Sequence, residues 1–219
     1  MITEKEKKIF LEYFDKNKNY SEDCLRNYKD RKVVFFKEID GKRYYIKKYI
    51  PYGKREKAIA FGLQKDRALH YKFISEKFKK LGIKHVEPYY IKVKRYSFFK
   101  RASILVTKDG GESLENYIDD FKNHLEWFDY FFNTFILLCK NGIYCTDYNP
   151  DGMLINNKRE LVLIDFDAFK TKFILTNKYK KHIIKQLRKI YKDVKRSADF
   201  EEYCKIKINN VIKELNWKI

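Results

Sequence analysis

Gly142-Ile143-Tyr144-Cys145-Thr146-Asp147-Tyr148-Asn149-Pro150-Asp151-Gly152-Met153-Leu154-Ile155, followed after a polar stretch by Leu161-Val162-Leu163-Ile164-Asp165-Phe166-Asp167, decides how this chain is read. Two short apolar runs, Met153 to Ile155 and Leu161 to Ile164, flank Asn156-Asn157-Lys158-Arg159-Glu160, a composition that favours a turn. A hairpin at this point brings Asp147 and Asp165 to one edge despite their separation in sequence. Two carboxylates so placed can divide the work of moving a phosphoryl group. One accepts the proton of the attacking hydroxyl, and the other holds a divalent cation on the phosphates. A lone Asp would read as a turn residue or the end of a buried strand. The pair, the hairpin and the helical run ahead of it point to the chemistry.

Protein-kinase-like phosphotransferases carry such a pair in a loop of pattern H-x-D-x-x-x-x-N and in a metal-binding D-F-G motif. Here Cys145 stands at the His position, Gly152 at the Asn position, and the second motif reads Asp165-Phe166-Asp167. Asp147 is the candidate base and Asp165 the candidate ligand of Mg²⁺. Gly152 has no side chain to offer the ion, so Asn149 or Asp151 is expected to replace the missing ligand, directly or through water, because Mg²⁺ keeps several waters and needs few protein groups. Loss of activity is the rival reading.

Working outward, residues Ile2 to about Asp15 form an amphipathic helix with Ile9, Phe10, Tyr13 and Phe14 on one side. Val33 to Ile39 and Arg43 to Ile50 read as strands joined by Asp40-Gly41, both tolerant of positive φ. Lys47 lies on the second strand, where a kinase Lys neutralises the α and β phosphates of ATP, and Lys48 points to the opposite face. No G-x-G-x-x-G loop precedes it, so phosphate cover falls to the segment around Asn27 to Lys32. One helix is expected from about Ala58 to Leu81, ended by Gly82. Its Asp66, in preference to Glu76, is the carboxylate expected to pair with Lys47. Strands Tyr89 to Val93 and Ala102 to Thr107 follow. The backbone of Thr107, Lys108 and Asp109 forms the expected adenine-holding hinge, and the segment from Lys108 to Glu112 reads as a flexible connector. Ser113 to Lys140 is mostly helical, with Leu125, Phe128, Phe132, Phe135, Ile136 and Cys139 as its core stripe. Helices close the chain, with Ile183, Ile184, Leu187, Ile190 and Val194 at helical spacing. The expected class is α+β, a two-lobed protein-kinase-like fold over residues 1–219. A small antiparallel β N-lobe with one helix covers about 1–108 and a mainly helical C-lobe about 109–219.

Composition agrees with a folded domain. The chain has 219 residues, 44% of them hydrophobic, with 18 Tyr and 18 Phe against 8 Gly and 3 Pro, enough for a sizeable core and unlike a disordered segment. No apolar run is long enough to span a bilayer, and the charged stretch Thr3 to Lys8 is unlike a signal peptide. Cys24, Cys139, Cys145 and Cys204 show no metal spacing and read as reduced thiols, which places the chain in the cytoplasm. The net charge of +19 calls for an anionic partner: nucleic acid, an anionic membrane face or a phosphorylated substrate. Part of the excess is Lys scattered through every element. The rest is concentrated from Lys178 onward, as a solvated basic face or one that lies on a membrane.

With these pieces in place, the chain resembles the lipopolysaccharide core heptose(II) kinase family from about Asp40 to its end. The resemblance is carried by Gly41-Lys42-Arg43-Tyr44-Tyr45-Ile46-Lys47-Lys48-Tyr49-Ile50-Pro51, by Gly111-Glu112-Ser113-Leu114, by Gly142 to Asp147 and by Leu163-Ile164-Asp165. The family loop is similar to G-D-x-H-x-G-N, so Asp147 matches the base, Asn149 stands at the His and Gly152 at the Asn. The resemblance implies an ATP- and Mg²⁺-dependent cytoplasmic kinase that phosphorylates a heptose of the inner core. A core glycolipid would be its substrate, and the basic surface would meet the anionic inner face of the membrane. A pseudokinase that binds nucleotide without turnover is the first alternative. A basic nucleic-acid-binding protein is the second, supported by charge and aromatics and by no motif.

Overall fold

The computed structural model describes residues 2–15, 22–166, 169–172, 174–192 and 196–219, so the expectations for Asp167 and Val194 lie outside the described residues. Contacts divide the chain into one unit of Met1–Leu81 with Val86–Asp109 and a second of Gly82–His85 with Gly110–Ile219.

The first unit is built on an antiparallel sheet in the order β1-β2-β3-β5-β4. Its strands are β1 (Cys24–Tyr28), β2 (Lys32–Ile39), β3 (Lys42–Tyr49), β4 (Pro88–Arg95) and β5 (Arg101–Lys108). Asp40 and Gly41 take φ of 50° and 71°, the left-handed pair that a two-residue hairpin requires, and this sets the β2–β3 register from Ile39–Lys42 to Lys32–Tyr49. Strand β1 was not expected: its side chains are mostly exposed, as befits an edge strand, so it lacks the apolar alternation that marks strands in a sequence. It is joined to β2 by a turn with Lys29 and Asp30 at positive φ, where the Asn27 side chain accepts the Asp30 N–H at 2.8 Å.

Helix α1 (Glu4–Glu12) begins in a capping box between Thr3 and Glu6. Phe10, Tyr13 and Phe14 pack on Val33, Phe35, Tyr44, Ile46, Ile104 and Val106, the buried face of the sheet. Glu6 is buried with them. Burial alone would raise its pKa, but bonds from the Thr3 N–H (2.7 Å), the Tyr44 hydroxyl (2.5 Å) and the Tyr89 hydroxyl (2.8 Å) outweigh that and hold it at about 2.

The single helix expected from Ala58 to Leu81 is two: α2 (Gly53–Ala60) and α3 (Arg67–Lys80). The first stops in a Schellman arrangement. Gly62 has φ 72° and donates to the Ile59 carbonyl, and Leu63 donates to that of Ala58. Asp66 then caps α3 through the Ala68 N–H at 2.9 Å. The β-sheet unit therefore carries α1, α2 and α3 in place of one helix.

The second unit contains β6 (Glu112–Ser113), α4 (Leu125–Lys140), β7 (Ile143–Cys145), β8 (Met153–Ile155), β9 (Leu161–Leu163), β10 (Phe169–Thr171), α5 (Asn177–Leu187), α6 (Lys189–Lys192) and α7 (Ala198–Glu214). The stretch before α4, expected to be helical, holds two short 3₁₀ turns, Leu114–Tyr117 and Phe121–His124. Along α4, Phe128, Phe132, Phe135, Ile136 and Cys139 are buried as expected, and Trp127 and Phe131 join them. Leu125, in the first turn, is exposed. Phe200 of α7 meets Phe121 and Phe128 edge-on at 5.2 and 5.5 Å. The expected connector is fixed at its end. A Cβ on Gly111 would come within 1.9 Å of the Ile155 carbonyl oxygen, and Glu112 pairs with Ile155 in the β6–β8 ladder. On α5 the apolar positions Ile183, Ile184 and Leu187 are packed inside, leaving lysines and no apolar stripe for a membrane.

Candidate active site

In the second unit, β8 and β9 form the expected hairpin, with Met153 opposite Leu163 and Ile155 opposite Leu161. The Ile164 N–H continues the ladder to the Gly152 carbonyl at 2.9 Å, so the strand that ends at Asp165 is tied to the loop that follows Asp147. Asp165 then turns the chain with φ 60°, a left-handed conformation that Asp tolerates better than most residues and that is unusual enough to mark a site.

Asp147 is exposed, in a loop held from three sides. Its own N–H donates to the Cys145 sulfur at 3.3 Å. Tyr148 is buried against Phe131 and Phe135, with ring centroids 4.5 and 4.9 Å away, and its hydroxyl donates to the Phe131 carbonyl at 2.8 Å. Asn149 caps the 3₁₀ turn Pro150–Gly152: its side-chain oxygen accepts the Gly152 N–H at 3.0 Å, and its amide donates to the Asp147 carboxylate at 3.4 Å. Asn149, expected as a metal ligand, thus has its oxygen turned into the loop and its amide on Asp147. Asp151 is exposed and accepts from the Ser113 hydroxyl at 3.3 Å.

Cys145 occupies the position of the expected His. Burial above all, with the charges of Asp147 and Asp165 adding to it against the lowering bond from the Asp147 N–H, pushes its thiol up to about 12. It stays a neutral thiol and serves as an acceptor for the loop backbone. Gly152 does not take a left-handed φ, and a Cβ there would meet Asn149 Oδ1 at 3.6 Å and the Ile164 oxygen at 3.9 Å, ordinary contact distances. No clash requires Gly at this place. Among the described residues, no three His, Cys, Asp or Glu side chains gather as a metal cage.

In the first unit, Lys47 is half-buried on β3 between Val34 and Leu105, on the sheet face away from α1. Lys48, opposite Val33 and Ile104, is on the α1 side, as the strand period requires. Thr107 is buried beside Tyr45, the Lys108 ammonium lies 4.9 Å from the Tyr89 ring centre, and Asp109 pairs with Arg43 at 3.8 Å. The two helix carboxylates expected to pair with Lys47 have other surroundings. Asp66 is the buried cap of α3, and Glu76 sits on the exposed face of that helix, 4.0 Å from Lys72. The second oxygen of Asp66 meets no hydrogen-bond donor among the described residues, beside a small pocket of about 30 Å³ lined also by Arg31, Tyr49, Tyr52, Arg55 and Arg67.

Sequence reasoning missed two parts of the site. One is the Tyr148 anchor, whose only signal was an aromatic residue set between Asp147 and Asn149. The other is Gly82–His85, which reads as the end of a helix but joins the second unit. The Leu163 N–H donates to the Lys84 carbonyl at 3.0 Å, and the His85 ring meets Phe166 at 5.6 Å.

No family model and no curated protein matches the chain. Among solved structures it is similar to WaaP in complex with acyl carrier protein, at 13% identity over 94% of this chain and 92% of that one, with a TM-score of 0.56. It also matches WbdD, at 14% identity over 87% of this chain and 45% of that one, with a TM-score of 0.46. A third match is the MAP kinase LmaMPK10 from Leishmania major, at 14% identity over 86% of this chain and 60% of that one, with a TM-score of 0.43. The antiparallel sheet with its helix α3, the loop-and-hairpin carrying Asp147 and Asp165, and the match to WaaP over nearly the whole of both chains together show that the chain has a protein-kinase-like fold.

Proposed function

We propose that the protein is an ATP-dependent small-molecule kinase that phosphorylates a hydroxyl of a lipopolysaccharide core heptose. The observation that carries this reading is the β8–β9 hairpin, which ties the loop after Asp147 to the chain leading into Asp165, in a protein whose fold is similar to that of WaaP and whose motifs resemble the lipopolysaccharide core heptose kinase family. Asp147, exposed and steadied by Asn149, takes the proton of the sugar hydroxyl as the new P–O bond forms. Lys47 neutralises the phosphates of ATP, and the backbone from Thr107 to Asp109 holds its adenine.

The oxygen donors fit Mg²⁺. Asp165 would hold the ion with a hard carboxylate, Asp151 is the further candidate, and water and phosphate would supply the remaining ligands. When bound, Mg²⁺ neutralises charge on the transferring phosphoryl group. Localisation in the cytoplasm, against the inner membrane face, belongs to the same proposal. Among the described residues no helix is long and apolar enough to cross a membrane.

The test is transfer of labelled γ-phosphate from ATP to isolated inner-core glycolipid, with RNA and protein offered alongside. Label on the glycolipid alone supports the reading; label on another acceptor overturns it. A folded protein that transfers none is the pseudokinase, the reading favoured by the missing side chain at Gly152.

The space at Gly152 supplies a sharper check. Gly152→Asn is accommodated by the backbone and restores an oxygen ligand, so half-maximal turnover is expected at about two- to tenfold lower free Mg²⁺. Asp151→Ala is expected to move the requirement the other way. An unchanged Mg²⁺ requirement in both variants would remove this end of the hairpin from metal binding.

A further inference from the structure

The largest exposed apolar feature of the β-sheet unit lies at the tip of the β4–β5 hairpin. Phe98 and Phe99 are 64% and 40% exposed there, and Phe61, from the break between α2 and α3, is 62% exposed. The three rings touch one another, with centroids 6.0, 5.9 and 4.9 Å apart, and Leu63, 78% exposed, follows two residues after Phe61. Most other exposed apolar residues are scattered singly, which a protein surface tolerates. A cluster drawn from two separate loops is different. The hairpin tip is also held in place: the Tyr96 and Ser97 N–H groups both donate to the Lys100 carbonyl, and the Lys100 N–H donates to the Ser97 hydroxyl at 3.1 Å. That turn needs no phenylalanine.

The segments that carry the cluster are basic. From Pro88 to Lys108 there is no Asp or Glu, and from Lys57 to Lys65 there is none either. Lys57, Lys65, Lys92, Lys94, Arg95 and Lys100 are exposed. We propose that this tip is a membrane-docking surface, its Phe and Leu side chains entering the headgroup–acyl boundary of an anionic phospholipid bilayer while the lysines meet the lipid phosphates. A second copy of the chain fits poorly, because self-association would set these cations against their own kind. Nucleic acid fits poorly as well. The rings cross edge-on at 70°, 70° and 88° and are spent on one another, not laid open as parallel faces on which bases stack. Helix α5 is excluded as the inserting element, since its apolar side is buried.

The test is co-sedimentation of the full chain with vesicles of equal parts phosphatidylglycerol and phosphatidylcholine, and with phosphatidylcholine alone. Binding is expected to the first only and to weaken with salt. Phe98→Ser with Phe99→Ser is expected to weaken it on the order of tenfold or more, with the fold kept because both side chains lie at an exposed hairpin tip outside the core. Lys94→Gln with Lys100→Gln is expected to reduce the salt-sensitive part. As an independent readout, tryptophan placed by Phe98→Trp is expected to shift to the blue and to be quenched by brominated lipid.

The proposal is overturned if the chain ignores anionic vesicles, if the Phe98 and Phe99 double variant sediments like wild type, or if the Phe98→Trp emission does not move. It is equally overturned if that double variant instead dissolves an oligomer or loses binding to RNA. The surface does not depend on the acceptor proposed above. Turnover of detergent-dispersed glycolipid is expected to be equal in the double variant and wild type. Its absence from both would overturn the proposed function and leave docking standing.

Discussion

Asp147→Ala is expected to lower phosphoryl transfer by about 10²–10⁴-fold, the range for loss of a general base, while ATP affinity stays close to wild type. The separation of the two effects follows from the loop. Asp147 is held by its backbone N–H on the Cys145 sulfur and by the neighbouring Tyr148 anchor, both of which survive the substitution. Its carboxylate is exposed and, among the described residues, takes only the weak 3.4 Å bond from Asn149, so removal leaves no buried group of these unsatisfied. The measurement is single-turnover transfer beside equilibrium ATP binding. Undiminished transfer would take the base role from Asp147. Parallel loss of nucleotide binding and of melting temperature would make it a structural residue of the loop.

Asp165→Asn is expected to abolish Mg²⁺-dependent nucleotide binding while the fold survives. Asn is the informative replacement because it accepts a left-handed φ as readily as Asp, so the turn at φ 60° is preserved and only the charge is lost. An amide in place of a carboxylate removes most of the attraction for a hard dication. Titration of ATP with and without Mg²⁺ separates the outcomes. The metal-dependent increment should vanish and the metal-independent part remain. If the increment persists, Asp165 does not hold the ion. A fall in melting temperature without any change in the increment would assign it to shaping the turn alone.

Local rules made much of this legible. Asp40-Gly41 dictates a left-handed two-residue turn and with it the β2–β3 register, so Lys47 and Lys48 fall on opposite faces whatever surrounds the sheet. The runs Met153 to Ile155 and Leu161 to Ile164 dictate the hairpin that takes the chain from Asp147 to Asp165. Where the reading failed, a local preference was weighed against the wrong competitor. Ala58 to Leu81 has helical composition throughout, but Gly62 and Asp66 act as stop and start signals, and the capping bonds they form outweigh one continuous helix. Asp66, read as a partner for Lys47, is that start signal.

What the sequence by itself determined is the order of elements, the turn-fixed registers and the residue types of a phosphoryl-transfer site, because these depend on neighbours in the chain. The tertiary structure decided the rest, because its causes lie between residues far apart in sequence. The burial that keeps Cys145 a neutral thiol under Asp147 and Asp165 comes from packing, as does the anchoring of Tyr148 on α4. The place of Gly82–His85 beside β9 is set by a backbone bond to Leu163 that no local pattern encodes. The meeting of Phe61 with Phe98 and Phe99 at an exposed tip is likewise made by two loops far apart in sequence.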